Sequence, residues 1–191
     1  MNAILPILED TRHKVTVEEL TELVRGGFFS EPGRVELIDG VITEMASEGA
    51  EHGDLKNSLV AWLYGQTALS ESRIFVETTL YLDPHNTPEP DNHIFPAGIH
   101  MRDLKPHEVA LVIEIADSSL RKDREVKAPL YARFGVQEYW IIDLETRNTL
   151  VFRPAGEGEY GEPEIFGPQA AMACRSIPGL AFRLEDLPLA G

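Results

Sequence analysis

The segment Leu-Val-Ile-Glu-Ile-Ala, residues 111 to 116, is an apolar run broken by one carboxylate, Glu114. Burying an ionised carboxylate without a partner is prohibitively costly, so something must neutralise it. Two further residues can meet it. Asp91 follows the turn-rich stretch DPHNTPEP, and Lys127 lies in the basic segment RKDREVKAPLYAR. Two carboxylates and an ammonium suit metal-assisted phosphodiester hydrolysis. Mg²⁺ takes oxygen ligands and commonly uses one or two carboxylates, with water and substrate phosphate completing its shell. A nearby ammonium stabilises charge developing on the phosphate or orients the attacking water. The plainer alternative is a structural ion pair, with Glu114 neutralised by Lys122, Arg124 or Lys127 and no catalysis at all.

Such chemistry needs elements that bring these groups together. Residues 109 to 116 are apolar on both faces, as a central strand must be. Strand parity puts Val112, Glu114 and Ala116 on one face and Leu111, Ile113 and Ile115 on the other. Glu114 then sits near the carboxyl end of its strand, where open α/β sheets place ligands. If Asp91 lies on a neighbouring strand, about 4.8 Å away, both carboxylates can reach one ion. A helix over 121–134, closed by Gly135, follows, and helical side chains lean toward the helix N-terminus, so Lys127 points back at the strand end. Pro129 interrupts that helix and threatens a kink that would misplace the ammonium.

The remaining elements follow the same reading. Thr16 and Glu19 form a capping box for a helix that Gly26 and Gly27 stop. Asp39-Gly40 supplies a two-residue turn for a hairpin over 34–45. Apolar residues at helical spacing predict a helix over 51–68, and RIFVETTLYL predicts a strand over 73–82. A short strand over 91–95 comes next; because Asp91 precedes Asn-His, it is expected to be short or exposed. EYWIID, 138–143, is a second buried strand, and strand, helix, strand implies a parallel crossover. TLVFRP is a further strand, GEGEYGEPE a flexible tip, and SIPGLAFRLEDL a strand end with a short final helix. Together these predict a single α/β domain over 1–191, with a central mixed β-sheet flanked by α-helices and early strands forming antiparallel hairpins.

The ordered blocks VELIDGVITEM, EPD at 89–91, LVIEIADSS and K-x-x-LYARFGVQEYWIID resemble the Uma-type restriction endonucleases, a branch of the PD-(D/E)xK nuclease superfamily. The resemblance covers roughly 15–187. It implies a restriction-endonuclease-like fold, Mg²⁺-dependent hydrolysis of DNA, with Mn²⁺ as a substitute ion, and commonly a homodimer. Carried over by position, Asp91 matches the motif aspartate and Glu114 the second acid, both as metal ligands, and Glu36 matches an acid supplied by an earlier element. The simplest superfamily pattern has a lysine two residues after the second acid, where this chain has Ala116. Similar proteins carry it on the next helix, which makes Lys127 the candidate and Lys122 the second. His52 matches a histidine often found near the catalytic face, as a contact to phosphate or water.

Each has a bland reading too. Glu36 alternates with Ile38 on a hairpin strand, which by itself suggests a solvent-facing acid. His52 at a helix start is ordinarily a surface or hydrogen-bonding residue. His93, His100 and His107 recur every seven residues, but no fixed helix makes them converge. Ser118 and Ser119 are expected as helix caps.

Composition bounds the alternatives. An apolar fraction of 43% and a charged fraction of 26% suit a soluble globular chain. The single cysteine, Cys174, excludes an internal disulfide and a thiolate metal site. The N-terminal residues make a poor signal peptide, no run spans a bilayer, and the cytoplasm is the expected compartment. The net charge of -15 opposes a nucleic-acid grip. Residues 121–133 nevertheless hold five basic and two acidic side chains, a local positive strip. Two other functions therefore stand beside a DNA endonuclease: a catalytically inactive interaction module of nuclease fold, and a metal-dependent hydrolase of small phosphodiesters.

Overall fold

The computed structural model describes residues 13–29, 35–45 and 48–187; the N-terminal stretch weighed above as a signal peptide lies almost wholly outside them. Its strands are β1 (Val35–Ile38), β2 (Val41–Glu44), β3 (Ser72–Val76), β4 (Asn92–Pro96), β5 (Leu111–Ala116), β6 (Tyr139–Asp143), β7 (Thr149–Phe152), β8 (Pro154–Gly156), β9 (Glu159–Tyr160), β10 (Glu164–Phe166), β11 (Met172–Ala173) and β12 (Ala181–Phe182). Six of them form the main sheet in the order β10-β7-β6-β5-β4-β3. Only β5 and β6 run parallel, the other neighbours being antiparallel. The fold is therefore α/β with a mixed central sheet.

The two faces of β5 carry two cores. Leu111, Ile113 and Ile115 pack with Trp140, Ile142 and the apolar stripe Leu55, Leu59 and Leu63 of α2 (Ala50–Tyr64). Val112 and Ala116 pack with Tyr139, Ile141 and the helical connection that precedes β6, through Ala128, Leu130 and Tyr131. Glu114 belongs to this second face.

That connection is not one continuous helix. A turn of α3 (Leu120–Lys122) runs into a π-helical turn, Asp123–Lys127, before α4 (Ala128–Arg133). Pro129 thus falls in the first turn of α4, where its missing N–H costs little. The wider turn absorbs the proline, so Lys127 is not misplaced.

Other elements depart from expectation. The strand expected over 73–82 ends at Val76, because Glu77 takes a left-handed conformation, φ 45°. From there the chain forms an irregular hairpin, with bonds from Leu80 N–H to the Pro88 carbonyl and from Glu77 N–H to that of Asp91. The helix expected to 68 stops at Tyr64, followed by a 3-10 turn at Thr67–Leu69. The tip expected to be flexible contains the β8–β9 hairpin, anchored by Tyr160, whose hydroxyl donates to the Val136 carbonyl. The capping box opens α1 (Val17–Arg25) as read.

The β1–β2 hairpin turns at Asp39 (φ 50°) and Gly40 (φ 74°), the positive-φ pair of a two-residue turn. It does not join the main sheet. It docks instead on the loop before Asp91: Thr87 N–H donates to the Leu37 carbonyl at 2.8 Å, Gly40 N–H to that of His85 at 2.9 Å, and Asp39 N–H to Asn86 Oδ1 at 2.8 Å. All four residues of β1 are buried. Among the described residues, no helix is long and apolar enough to cross a membrane.

Candidate active site

The β4–β5 register pairs Asn92 with Ile113, so the next pair along is Asp91 opposite Glu114. Directly opposed residues of antiparallel strands share a face. The two carboxylates also grip each other's strands. Asp91 Oδ2 accepts from the Ile115 amide at 2.6 Å, and Glu114 Oε2 from the Asp91 amide at 3.4 Å. These bonds fix both side chains and leave one Asp91 oxygen uncommitted to the backbone. Asp91 is 8% exposed and Glu114 5%. Of the two expectations for the strand at Asp91, shortness holds and exposure does not: the strand is short, with Asn92 and His93 fully covered.

Lys127 Nζ reaches Glu114 Oε1, and Glu36 Oε2 lies 3.5 Å and Asp123 Oδ1 3.8 Å from the same ammonium. Lys122 pairs with the other oxygen of Glu36. The solvent-facing reading of Glu36 is also corrected: at 1% exposure it is buried, because docking of the hairpin onto the 83–90 loop turns it inward.

His52, on the first turn of α2, donates from Nε2 to the Ile115 carbonyl at 3.0 Å and lies 3.6 Å from Asp91 Oδ2. Glu36, His52, Asp91, Glu114, Lys122 and Lys127 thus all line one cavity of about 110 Å³. Glu48, Glu89, Asp117 and Asp123 line it as well. Spacing held signals for two of these: Glu48 precedes His52, and Asp123 precedes Lys127, by four residues. Glu89 and Asp117 sit in loops, where no periodicity marks them.

Among the described residues, charge here is unbalanced, since seven carboxyls face two lysines and one histidine. Burial raises the Glu114 carboxyl well above the usual range, outweighing Lys127, and Asp123 and Asp91 push it further. Burial likewise raises Asp123 against the pull of Lys127. Burial alone would lower Lys127, but Glu114, Glu36 and Asp123 hold it firmly protonated. Two ammoniums, of Lys127 and Lys122, face the three acids Glu36, Glu114 and Asp123 and do not neutralise them all. A cluster of buried oxygen donors with too little positive charge is a fitting site for a hard divalent cation.

The three sequence-spaced histidines do not converge. His93 is buried and stacked on Phe75, its ring 5.4 Å away, while His100 and His107 are exposed.

The family model described as "Uma2: Putative restriction endonuclease" matches residues 17–188. No curated protein matches. Among solved structures, one described as a putative nuclease belonging to DUF820 from Anabaena variabilis ATCC 29413 is similar in fold, with TM-score 0.71 at 20% identity, over 90% of this chain and 96% of that one.

Proposed function

The chain belongs to the Uma2 family, described as putative restriction endonucleases, and from that premise we propose that it is a Mg²⁺-dependent endonuclease hydrolysing DNA phosphodiester bonds. The observation that carries this reading is the pairing of Asp91 and Glu114 on one face of adjacent strands, with Lys127 bonded to Glu114 at 2.7 Å. Asp91 and Glu114 would hold the ion. When bound, a divalent cation supplies Lewis-acid charge to the phosphate and to the attacking water.

The protein's own groups do the rest. Ile115 N–H fixes one Asp91 oxygen and so aims the other into the cavity. Lys127 holds Glu114 in place and carries positive charge beside the reacting phosphate. Glu36 positions both lysines through its two oxygens. Lys122, whose side chain is 32% exposed, stands where an incoming phosphate arrives. His52 ties α2 to the strand end. The proposal extends to a homodimer, which the family resemblance supports and sedimentation tests.

Purified protein incubated with Mg²⁺ or Mn²⁺ should nick or degrade plasmid, linear or single-stranded DNA, and Glu114→Ala, folded by circular dichroism, should not. Equal cutting by the variant overturns the assignment. Turnover of a chromogenic phosphodiester without DNA cleavage would move the substrate to small phosphodiesters, for which the acidic surface is a lesser barrier.

A further inference from the structure

We propose that the groove between the helical connection and the β8–β9 hairpin takes an unpaired nucleotide of the DNA that enters the catalytic cavity, so that the substrate is DNA single-stranded or frayed beside the scissile phosphate. This deepens the nuclease reading and rests on it. The groove comprises two adjoining cavities of about 420 and 250 Å³, which share Arg124, Phe152, Tyr160 and Gly161. Both exceed the catalytic cavity of about 110 Å³, and the larger falls in the range of about 300–1,000 Å³ that small organic ligands occupy. An ion does not need that room; a nucleobase does.

One short segment serves both places. Lys122 and Lys127 line the catalytic cavity, while Arg121 and Arg124, within one turn of Lys122, line the groove. A strand leaving the cavity past Lys122 meets the groove next. Arg121 is tied to Glu125 at 2.9 Å. Arg124 is exposed and has no hydrogen bond or ion pair among the described residues, and a free guanidinium offers a planar fork for phosphate.

The floor is aromatic. The ring centroids of Phe152 and Tyr160 lie 6.2 Å apart, and the Tyr160 hydroxyl is committed to the Val136 carbonyl at 2.7 Å. Tyr160 therefore offers ring surface rather than a polar handle, and bases stack on such rings whatever their sequence. Glu159 and Glu162, from the hairpin side, also line the groove. Carboxylates repel a phosphate backbone but accept from the exocyclic amine of a base such as cytosine. Arginines on one wall, acids on the other and rings beneath thus sort a nucleotide into its phosphate and its base. Charge favours an unpaired strand as well. Duplex DNA carries one charge per about 1.7 Å and one strand alone one per about 3.4 Å, so a chain of net charge -15 opposes the duplex more.

The test is fluorescence anisotropy with the full chain, in Ca²⁺ to withhold cleavage, of a short single-stranded oligonucleotide carrying 2-aminopurine, against a blunt duplex of the same sequence. Wild type should bind the single strand about fivefold or more tightly than the duplex, the value of one stacked base, and should quench the aminopurine. Arg124→Gln should weaken that binding and lower the slope of log affinity against log salt by about 0.7, the share of one phosphate contact on a single strand. Arg73→Gln, the same charge loss on β3, beyond β4, β5 and β6 from Phe152, should leave both near wild type. Tyr160→Leu should lose the quenching, and Tyr160→Phe, which keeps the ring, should retain it; if Tyr160→Leu fails to fold, Arg124→Gln still decides. Equal affinity for the two DNAs, or an unchanged salt slope in Arg124→Gln, overturns the groove. If wild type then cuts DNA in Mg²⁺ and Glu114→Ala does not, only this inference fails; if wild type neither binds nor cuts any DNA, it fails together with the nuclease reading.

Discussion

Lys127 Nζ lies 2.7 Å from Glu114 Oε1, thirteen residues back along the chain, with both side chains 7% exposed. The same ammonium faces Glu36 and Asp123. One positive charge thus organises acids from a hairpin, a central strand and a helical turn.

Lys127→Met strands those carboxyls. Removing one partner of a buried ion pair typically costs about 3–5 kcal/mol, so the variant should melt well below wild type in chelator. Millimolar Mg²⁺ should then raise its Tm more than that of wild type, since the ion neutralises the same acids. Calorimetry with and without Mg²⁺ checks this; equal increments would mean that the lysine and the ion act at different places.

Gly40→Ala tests the link between turn and site. Gly40 has φ 74°, and an added Cβ would lie 2.5 Å from Lys14 Cβ. Left-handed backbone alone costs a residue with a side chain about 1–2 kcal/mol, and the clash adds to it. Gly27→Ala, at φ 72° in open space, carries only the backbone cost. Urea titrations should therefore find Gly40→Ala the more destabilised of the two, with Glu36 displaced and DNA cleavage reduced.

His93 supplies a pH dependence. Its two ring nitrogens lack partners among the described residues, and burial lowers its pKa to about 4. The folded protein keeps the ring neutral where the unfolded chain, titrating near 6.5, takes up a proton. Stability is therefore fully present above about pH 6.5 and is lost as the pH falls toward 4. Between pH 7 and 5 this amounts to about 2 kcal/mol. His93→Phe, which keeps the stacking between Phe75 and Phe95, should remove that acid-side loss; urea titrations at the two pH values measure it, and an unchanged slope would refute it.

Cys174 should be inert while the chain is folded. Burial pushes its thiol up to about 11, and the thiolate is the reactive form. Ellman's reagent at pH 8 should label it slowly in buffer and rapidly in denaturant. Fast labelling of native protein would show the C-terminal segment opening readily.

Much of this was legible in one dimension. The parity of 111–116 placed Glu114 on its face, Asp39-Gly40 dictated the hairpin, and periodicity found α2, because each signal depends only on backbone geometry and near neighbours. The bland reading of Glu36 as a solvent-facing acid failed for the same reason. Alternation along a strand says which residues share a side, but not what later covers that side, and here the 83–90 loop buries it. Pro129 was read as a hazard because sequence cannot show that a π turn will shift it into the first turn of α4. Glu48 carried only its four-residue spacing from His52, because its place at the cavity depends on α2 lying against the end of β5, a contact between segments more than sixty residues apart.

The sequence by itself determined which residues can carry charge into the interior and on which strand or helix each rides. Only the tertiary structure decided that, among the described residues, seven carboxyls would share one cavity with two lysines and a histidine. That imbalance, which makes a cation a fitting occupant, arises from through-space packing of distant segments and has no counterpart in local spacing.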